Sequence, residues 1–283
     1  MNSVSTLKQT QVYFRKVARI SMREKAWKYI IFAVIIAGIV AFVISDNMLE
    51  TFEGTKSGFF TIASACIWVG IFNSIQSICK EHDIIRSEYR QGMKMTAYVL
   101  ANVIWQFILS LVQSAIIFIL CIILVDVESD ALLFNPYVEY FITILLLTFG
   151  SSVLGLMVSS IAGNPTTAMT IMPFVLIVQL ILSGVLFELE GAMEIFAWIT
   201  FSKWGMSAFG SIADMNDIEM SLLADDKELK QQLELMGKDI SSNNDMYDHD
   251  EWNLIGAWLM CLAITLVCII VSTISLKLKN RDS

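Results

Sequence analysis

The sequence predicts an all-α membrane protein of six transmembrane helices, preceded by a basic amphipathic helix and carrying a large outer segment before the last span. Three observations carry that prediction. Apolar residues make up 56% of the 283 residues and the mean hydropathy is +0.65, a composition suited to lipid rather than water. Several apolar runs reach the roughly 20 residues that a helix needs to cross a bilayer. The bases are also sorted. The segments that six crossings place on one face hold 14 of the 19, the others five, which sets the base-rich face and both termini in the cytoplasm.

Residues 1–28 carry Lys8, Arg15, Lys16, Arg19, Arg23, Lys25 and Lys28 against the single acid Glu24. Tyr13, Val17, Ile20 and Trp27 recur among them at helical spacing, so the segment reads as an amphipathic helix lying on anionic headgroups or on a partner. Residues 29–187 then hold five spans. The first, Tyr29–Ser45, has Ala33, Ala37 and Ala41 as a small-residue packing stripe; the second is Gly58–Cys79. Between them, residues 46–57 form an acidic outer loop. The stretch Lys80–Tyr98 is a charged island between two apolar runs, and its residues 80–94 suit a short amphipathic helix with Ile84, Ile85 and Tyr89 on its apolar edge.

The third span, Met95–Val125, is longer than a bilayer requires, and the base-free loop 126–139 lies outside. The fourth, Tyr140–Ala162, repeats Ser151, Gly155 and Ser159 at four-residue spacing. Gly163-Asn164-Pro165 turns the chain into the fifth, Ala168–Phe187, which Pro173 can kink. Residues 188–251 hold 15 acids and four lysines and form the outer segment. Within it Ile195–Ile212 is too apolar for a free loop and is expected to be interfacial or re-entrant, and Leu222–Met236 is expected to be helical. Residues 252–283 supply the sixth span, Trp252–Leu276, and a basic tail.

This composition narrows function. The spans as drawn hold no Asp, Glu, Lys, Arg or His in their interiors, which argues against ion-coupled transport and intramembrane proteolysis. The chain has no Gly-x4-Gly-Lys-Ser/Thr phosphate loop, and its charge asymmetry argues against nucleic acid. The five cysteines fall in or beside apolar runs without metal-ligand spacing and read as core residues. Asp245, Asp248, His249, Asp250 and Glu251 lack the spacing of a calcium loop and read as a solvated acidic face, so no metal site is expected. Asn73, Ser74, Gln76, Gln106, Gln113 and Gln179 are the polar side chains within spans. They suit helix-packing bonds, or a mostly apolar cavity with a few hydrogen-bonding groups if two amides face each other.

Several stretches together resemble one family. Glu88-Tyr89-Arg90, Gly92-Met93 and Ala97-Tyr98-Val99-Leu100-Ala101, then residues 155–189, then Trp198, Ser202-Lys203-Trp204 and Ala208-Phe209 are similar in order to type-2 ABC exporter permeases, particularly the white/multidrug (G) subfamily. The likeness runs through most of residues 10–278. It implies a pair of permeases, identical or merely similar, above two ATPase domains. The N-terminal helix and the island would then meet the ATPase through Glu81, Arg86, Glu88, Tyr89 and Arg90. Substrate would lie on the two-fold axis near Val69, Phe72, Asn73, Leu176 and Leu180, with Val185 and Leu186 as an apolar gate.

The resemblance also implies that ATP and Mg sit on a separate ATPase subunit, with no cofactor on this chain, and that the membrane is a prokaryotic plasma membrane. The expected cargo is an apolar or amphipathic molecule: lipid, peptide, drug or glycoconjugate. Two readings compete with export. One is a membrane-anchored sensor that binds a ligand through its acidic outer loop; the other is an outer-face lipid enzyme that depends on His249.

Overall fold

The computed structural model describes residues 5–24, 27–43, 48–49, 51–124, 131–187, 191–218 and 245–281. Among these residues the regular structure is helical throughout and no strand occurs, so the chain is an all-α membrane protein. The expected helix at Leu222–Met236 lies outside the described residues.

Helix α1 (Thr6–Arg23) meets α2 (Trp27–Val43) at 67°. Its polar side holds most of its bases and its opposite edge carries Tyr13 and the buried Val17, so it suits an interface rather than a crossing. Ala33 and Ala37 are buried on α2, as the small-residue stripe implies, and α2 packs on α3 (Phe52–Ser74) and α5 (Met95–Leu124). A short 3-10 turn, Cys79–Glu81, leads from α3 to α4 (His82–Arg90). Helices α6 (Pro136–Ile161) and α7 (Pro165–Ile181) follow, then α8 (Ala192–Ala197), α9 (Phe201–Ile212) and α10 (Glu251–Arg281).

Four described helical stretches are long and apolar enough to cross a membrane: those starting at Phe52 and Met95, and α6 and α10. Helices α2 and α7 have 17 residues each, and about 25 Å of helix falls short of a ~30 Å hydrocarbon core.

Several boundaries differ from the sequence reading, for local reasons. Residues 52–57, expected in a loop, are helical because Thr51 Oγ1 accepts the Gly54 N–H at 3.2 Å and starts α3 early. Helix α6 starts at Pro136 rather than Tyr140, where Asn135 Oδ1 accepts the Tyr137 N–H at 3.0 Å. Asn164 and Pro165 repeat the device at α7, with the Thr167 N–H donating to Asn164 Oδ1 at 2.8 Å. Helix α7 ends at Ile181, not Phe187, because Ser183 turns its hydroxyl onto the Leu180 carbonyl and Gly184 takes a φ of +79°. Pro173 lies inside it, and the last helix runs past Leu276 to Arg281.

The centre of the fold is the crossing of α3 and α6. A Cβ at Gly70 would stand 2.4 Å from the Thr148 carbonyl oxygen, and one at Gly155 would stand 2.2 Å from Ser74 Oγ. Two helices approach this closely in a membrane only through small residues. Helix α9 packs against α3, α6 and α10 with nearly every residue from Phe201 to Ile212 buried. The expectation of an interfacial or re-entrant segment therefore resolves as α8 largely exposed and α9 inside the bundle. Phe209 stacks on Phe59 at 5.1 Å, and Phe59 on Tyr140 at 5.7 Å.

Gly70→Ala should lower stability by about 1–3 kcal/mol, because backbone rather than a flexible side chain blocks the added methyl. Gly38→Ala on α2, with nothing within 4 Å, should leave the melting temperature in detergent unchanged or slightly raised.

Candidate functional site

Three groupings of polar side chains stand out, one at each end of the bundle and one in its middle. The base-rich end is a clamp between α1, α4 and the start of α5. Lys16 Nζ of α1 donates to Glu88 Oε1 at 2.8 Å and lies 4.0 Å from Glu81. Glu81 also accepts the Tyr98 hydroxyl at 3.0 Å. Further out, Gln9 Oε1 accepts the Lys94 N–H at 2.9 Å, and Lys94 Nζ donates to Thr6 Oγ1 at 3.1 Å. Tyr13 packs edge-on to Tyr98 at 5.9 Å, and burial, with the Glu88 charge second, raises the Tyr13 phenol above its ordinary 10.0.

Helix α4 itself is anchored by Ile85, which is fully buried, and closed by Gly92 at φ +100°. The turn that leads into it is held by one hydroxyl of the bundle: Ser159 Oγ of α6 accepts the N–H groups of Ile78 and Cys79, each at 3.1 Å.

The structure therefore separates the five residues that the resemblance assigns to ATPase contact. Glu81 and Glu88 converge on Lys16 inside the clamp. Arg86 and Tyr89 are half-buried, and Arg90 is exposed. Asp83, Ile84 and Ser87 complete the open face of α4, so Ile84 belongs to the outside rather than the packed edge. Lys16, Gln9, Lys94 and Tyr98 carry the clamp and were missed. A lysine among seven N-terminal bases gives no sign of its partner some seventy residues on.

In the middle, Asn73 of α3 and Gln113 of α5 exchange two side-chain hydrogen bonds at 2.5 and 3.0 Å, and Gln113 also donates to the Tyr29 carbonyl at 3.0 Å. Two amides in facing spans thus satisfy each other. Val69 and Leu176 are buried, as Asn73 is, while Phe72 and Leu180 are half-buried, with the Phe72 ring lying 5.0 Å from the Phe32 ring. Phe174, Ile177, Val178 and Ile181 form the open apolar side of α7. Val185 is half-buried and Leu186 exposed in the turn beyond it, where the Val185 N–H donates to Ser183 Oγ at 3.2 Å.

At the acidic end, α9 is fixed by side chains from its neighbours. Gln179 Oε1 of α7 accepts the N–H groups of Phe201 at 2.9 Å and Ser202 at 3.2 Å, and Ser202 Oγ donates to the Gln179 carbonyl. The Asn253 amide of α10 donates to Ser211 Oγ at 2.9 Å, and His249 Nδ1 lies 2.7 Å from the Ser211 carbonyl. Asn216 Nδ2 donates to Asp248 Oδ1 at 3.1 Å. His249 and Asp248 thus tie loops to α9, and among the described residues no group of three or more His, Cys, Asp or Glu side chains could hold a metal ion.

Glu139, expected in an outer loop, is fully buried in the first turn of α6 and accepts the N–H groups of Leu132, Leu133 and Phe134 at 3.4, 2.7 and 2.9 Å. The extension of α6 to Pro136 is what brings it inside. Three backbone donors and the α6 N-terminus replace the water it loses.

Asn73→Leu should strand the Gln113 amide and cost about 1 kcal/mol, with Asn73→Leu/Gln113→Leu recovering part of it, read by thermal unfolding in detergent. Lys16→Glu would set three carboxylates together and free α1. Hydrogen exchange over residues 6–23 should rise, and Lys16→Glu/Glu88→Lys should restore protection.

A helical bundle with a basic clamp at one end and no catalytic constellation in its described interior matches what comparison with known proteins finds. Residues 8–213 match the family model described as ABC-2 type transporter, its membrane domain. Over 155 residues, 53% of the chain, the sequence is 28% identical to the ABC transporter ATP-binding/permease protein Rv1747 of Mycobacterium tuberculosis. The aligned part is 18% of that relative's length. The matched range runs from α1 to the end of α9 and takes in the clamp, the amide pair and the Gln179 contact, and the chain belongs to the ABC-2 type transporter family as a membrane permease domain.

Proposed function

We propose that this chain is the permease subunit of an ATP-driven exporter that moves an apolar or amphipathic substrate across a prokaryotic plasma membrane. ATP and Mg would be held by a separate ABC ATPase subunit under the clamp, with both termini on that side. The observation that carries this reading is the clamp itself. Lys16, Glu81 and Glu88 join α1 to α4, so the two helices can act as one unit, while Asp83, Ile84 and Ser87 face outward. A rigid amphipathic platform hung from α6 by Ser159 can pass a push from an ATPase into the spans.

A second permease, identical or similar, would cover the apolar side of α7. Substrate would then pass between α3 and α7 of the two copies, near Val69, Phe72, Asn73, Leu176 and Leu180. Val185 and Leu186 would close the path by excluding water. Because Asn73 is already bonded to Gln113, the wall offered to cargo from this chain is chiefly apolar, which favours lipid-like or amphipathic molecules over ions.

The test is purification from membranes in mild detergent, with ATPase activity and subunit composition measured on the eluate. The wild-type chain should bring down an ATPase, Ile84→Arg should lose it without loss of folded protein, and His249→Ala should keep it. A wild-type chain that emerges with no ATPase under several detergents would overturn the reading.

A further inference from the structure

A cleft of about 50 Å³ opens between the second half of α1, the end of α3 with the turn that follows it, and the first half of α5. Its rim is the Glu24–Lys80 pair, at 3.6 Å and with side chains 53% and 38% exposed, a loose ion pair that holds neither helix firmly. Ser21, Gln76, Glu81 and Trp105 form its polar walls. The Ser21 hydroxyl and Gln76 amide have no side-chain hydrogen bond among the described residues. At the inner wall the Trp105 indole N–H is buried and unpartnered. Buried donors are nearly always paired, so an orphan beside unused polar groups at a cleft leaves hydrogen-bonding capacity for a ligand. Val17, Ile20 and Leu109 continue the cleft as an apolar wall.

We propose that this cleft holds the headgroup of a zwitterionic phospholipid from the adjoining leaflet, its phosphate toward Lys80 and Gln76 and its ammonium toward Glu24 and Glu81. The roof identifies the source. Helix α1 exposes Lys8, Arg15, Arg19 and Arg23 together with Leu7, Val12 and Met22, the mixture of a helix lying in the headgroup layer. Charge selects the class. With Glu81 already facing Lys16, the open charges at the rim are Glu24 and Lys80, so a headgroup that carries both a phosphate and a primary ammonium can open that pair and replace both halves of it, which a purely anionic headgroup cannot. The apolar wall gives the acyl stems a way out. A lipid held here would bridge α1 and the end of α3 beside the clamp, sharing Glu81 with it and otherwise using Glu24, Lys80, Ser21 and Gln76, which the clamp does not engage.

The intact purified chain, stripped of lipid in detergent, would be titrated with phosphatidylethanolamine or phosphatidylglycerol and read by native mass spectrometry. The proposal expects one phosphatidylethanolamine per chain to be held about tenfold more tightly than phosphatidylglycerol, and Lys80→Gln or Glu24→Gln each to remove about that preference, the size of one charge-assisted contact. Ser21→Leu narrows the cleft from α1 without touching a charge and should also abolish retention, which keeps the test decisive if a charge variant fails to fold. Equal retention of the two lipids, or retention unchanged in folded variants, would overturn the proposal. So would displacement by soluble phosphoethanolamine at the concentration at which the lipid binds, since the ligand would then be a soluble one.

Discussion

At Gly70 the backbone of α3 lies against the backbone of α6, and at Gly155 α6 returns the contact against Ser74 and Ile71. Lipid is as apolar as any side chain, so helices in a bilayer are held by close packing and by polar bonds that packing brings into reach. The rest of this structure depends on that approach. It sets Ser159 where its hydroxyl can take the Ile78 and Cys79 N–H groups just as α3 ends. It brings Ser152 within 3.2 Å of Ser110 on α5. Above the crossing, it leaves a slot among α3, α6 and α10 that α9 fills.

The second theme is the treatment of charge and unpaired backbone. Glu139 is buried but surrounded by three N–H donors. Lys279 turns its ammonium onto the last carbonyls of α6, at Ser160, Ile161 and Ala162, so a cation from one helix closes the end of another. Gln179 does the converse for the start of α9. The last turn of α6 and the first turn of α9 are thus each finished by a side chain from another helix.

What the sequence made legible was whatever is encoded within one turn or one helix. The amphipathic pattern of α1, the small residues Ala33, Ala37, Ser151, Gly155 and Ser159, the Asn164-Pro165 start and the anomalous polarity of residues 195–212 all act through their immediate neighbours or a face. Pairings across the fold were not legible. Nothing near Glu88 says that it answers Lys16 rather than a separate protein, and nothing near Asn73 names Gln113. Glu139 read as a loop acid because three backbone donors leave no mark on a sequence. The candidate site was accordingly legible as a region, in α4 and in the facing amides, but not as a set of contacts.

The buried helix α9 has a consequence for biosynthesis. Helices α6 and α7 each begin with an Asn-Pro pair that can form as soon as those residues leave the ribosome, so their hairpin can be shaped on the way into the membrane. Helix α9 has no such autonomy. Ser207 and Ser211 are buried, and their Asn253 partner belongs to α10, which follows α9 in the chain. Until α10 inserts, the nascent chain presents a polar seam that must stay at the water interface or be shielded by the insertion machinery. The burial of α9 thus depends on side chains of a span that is made after it.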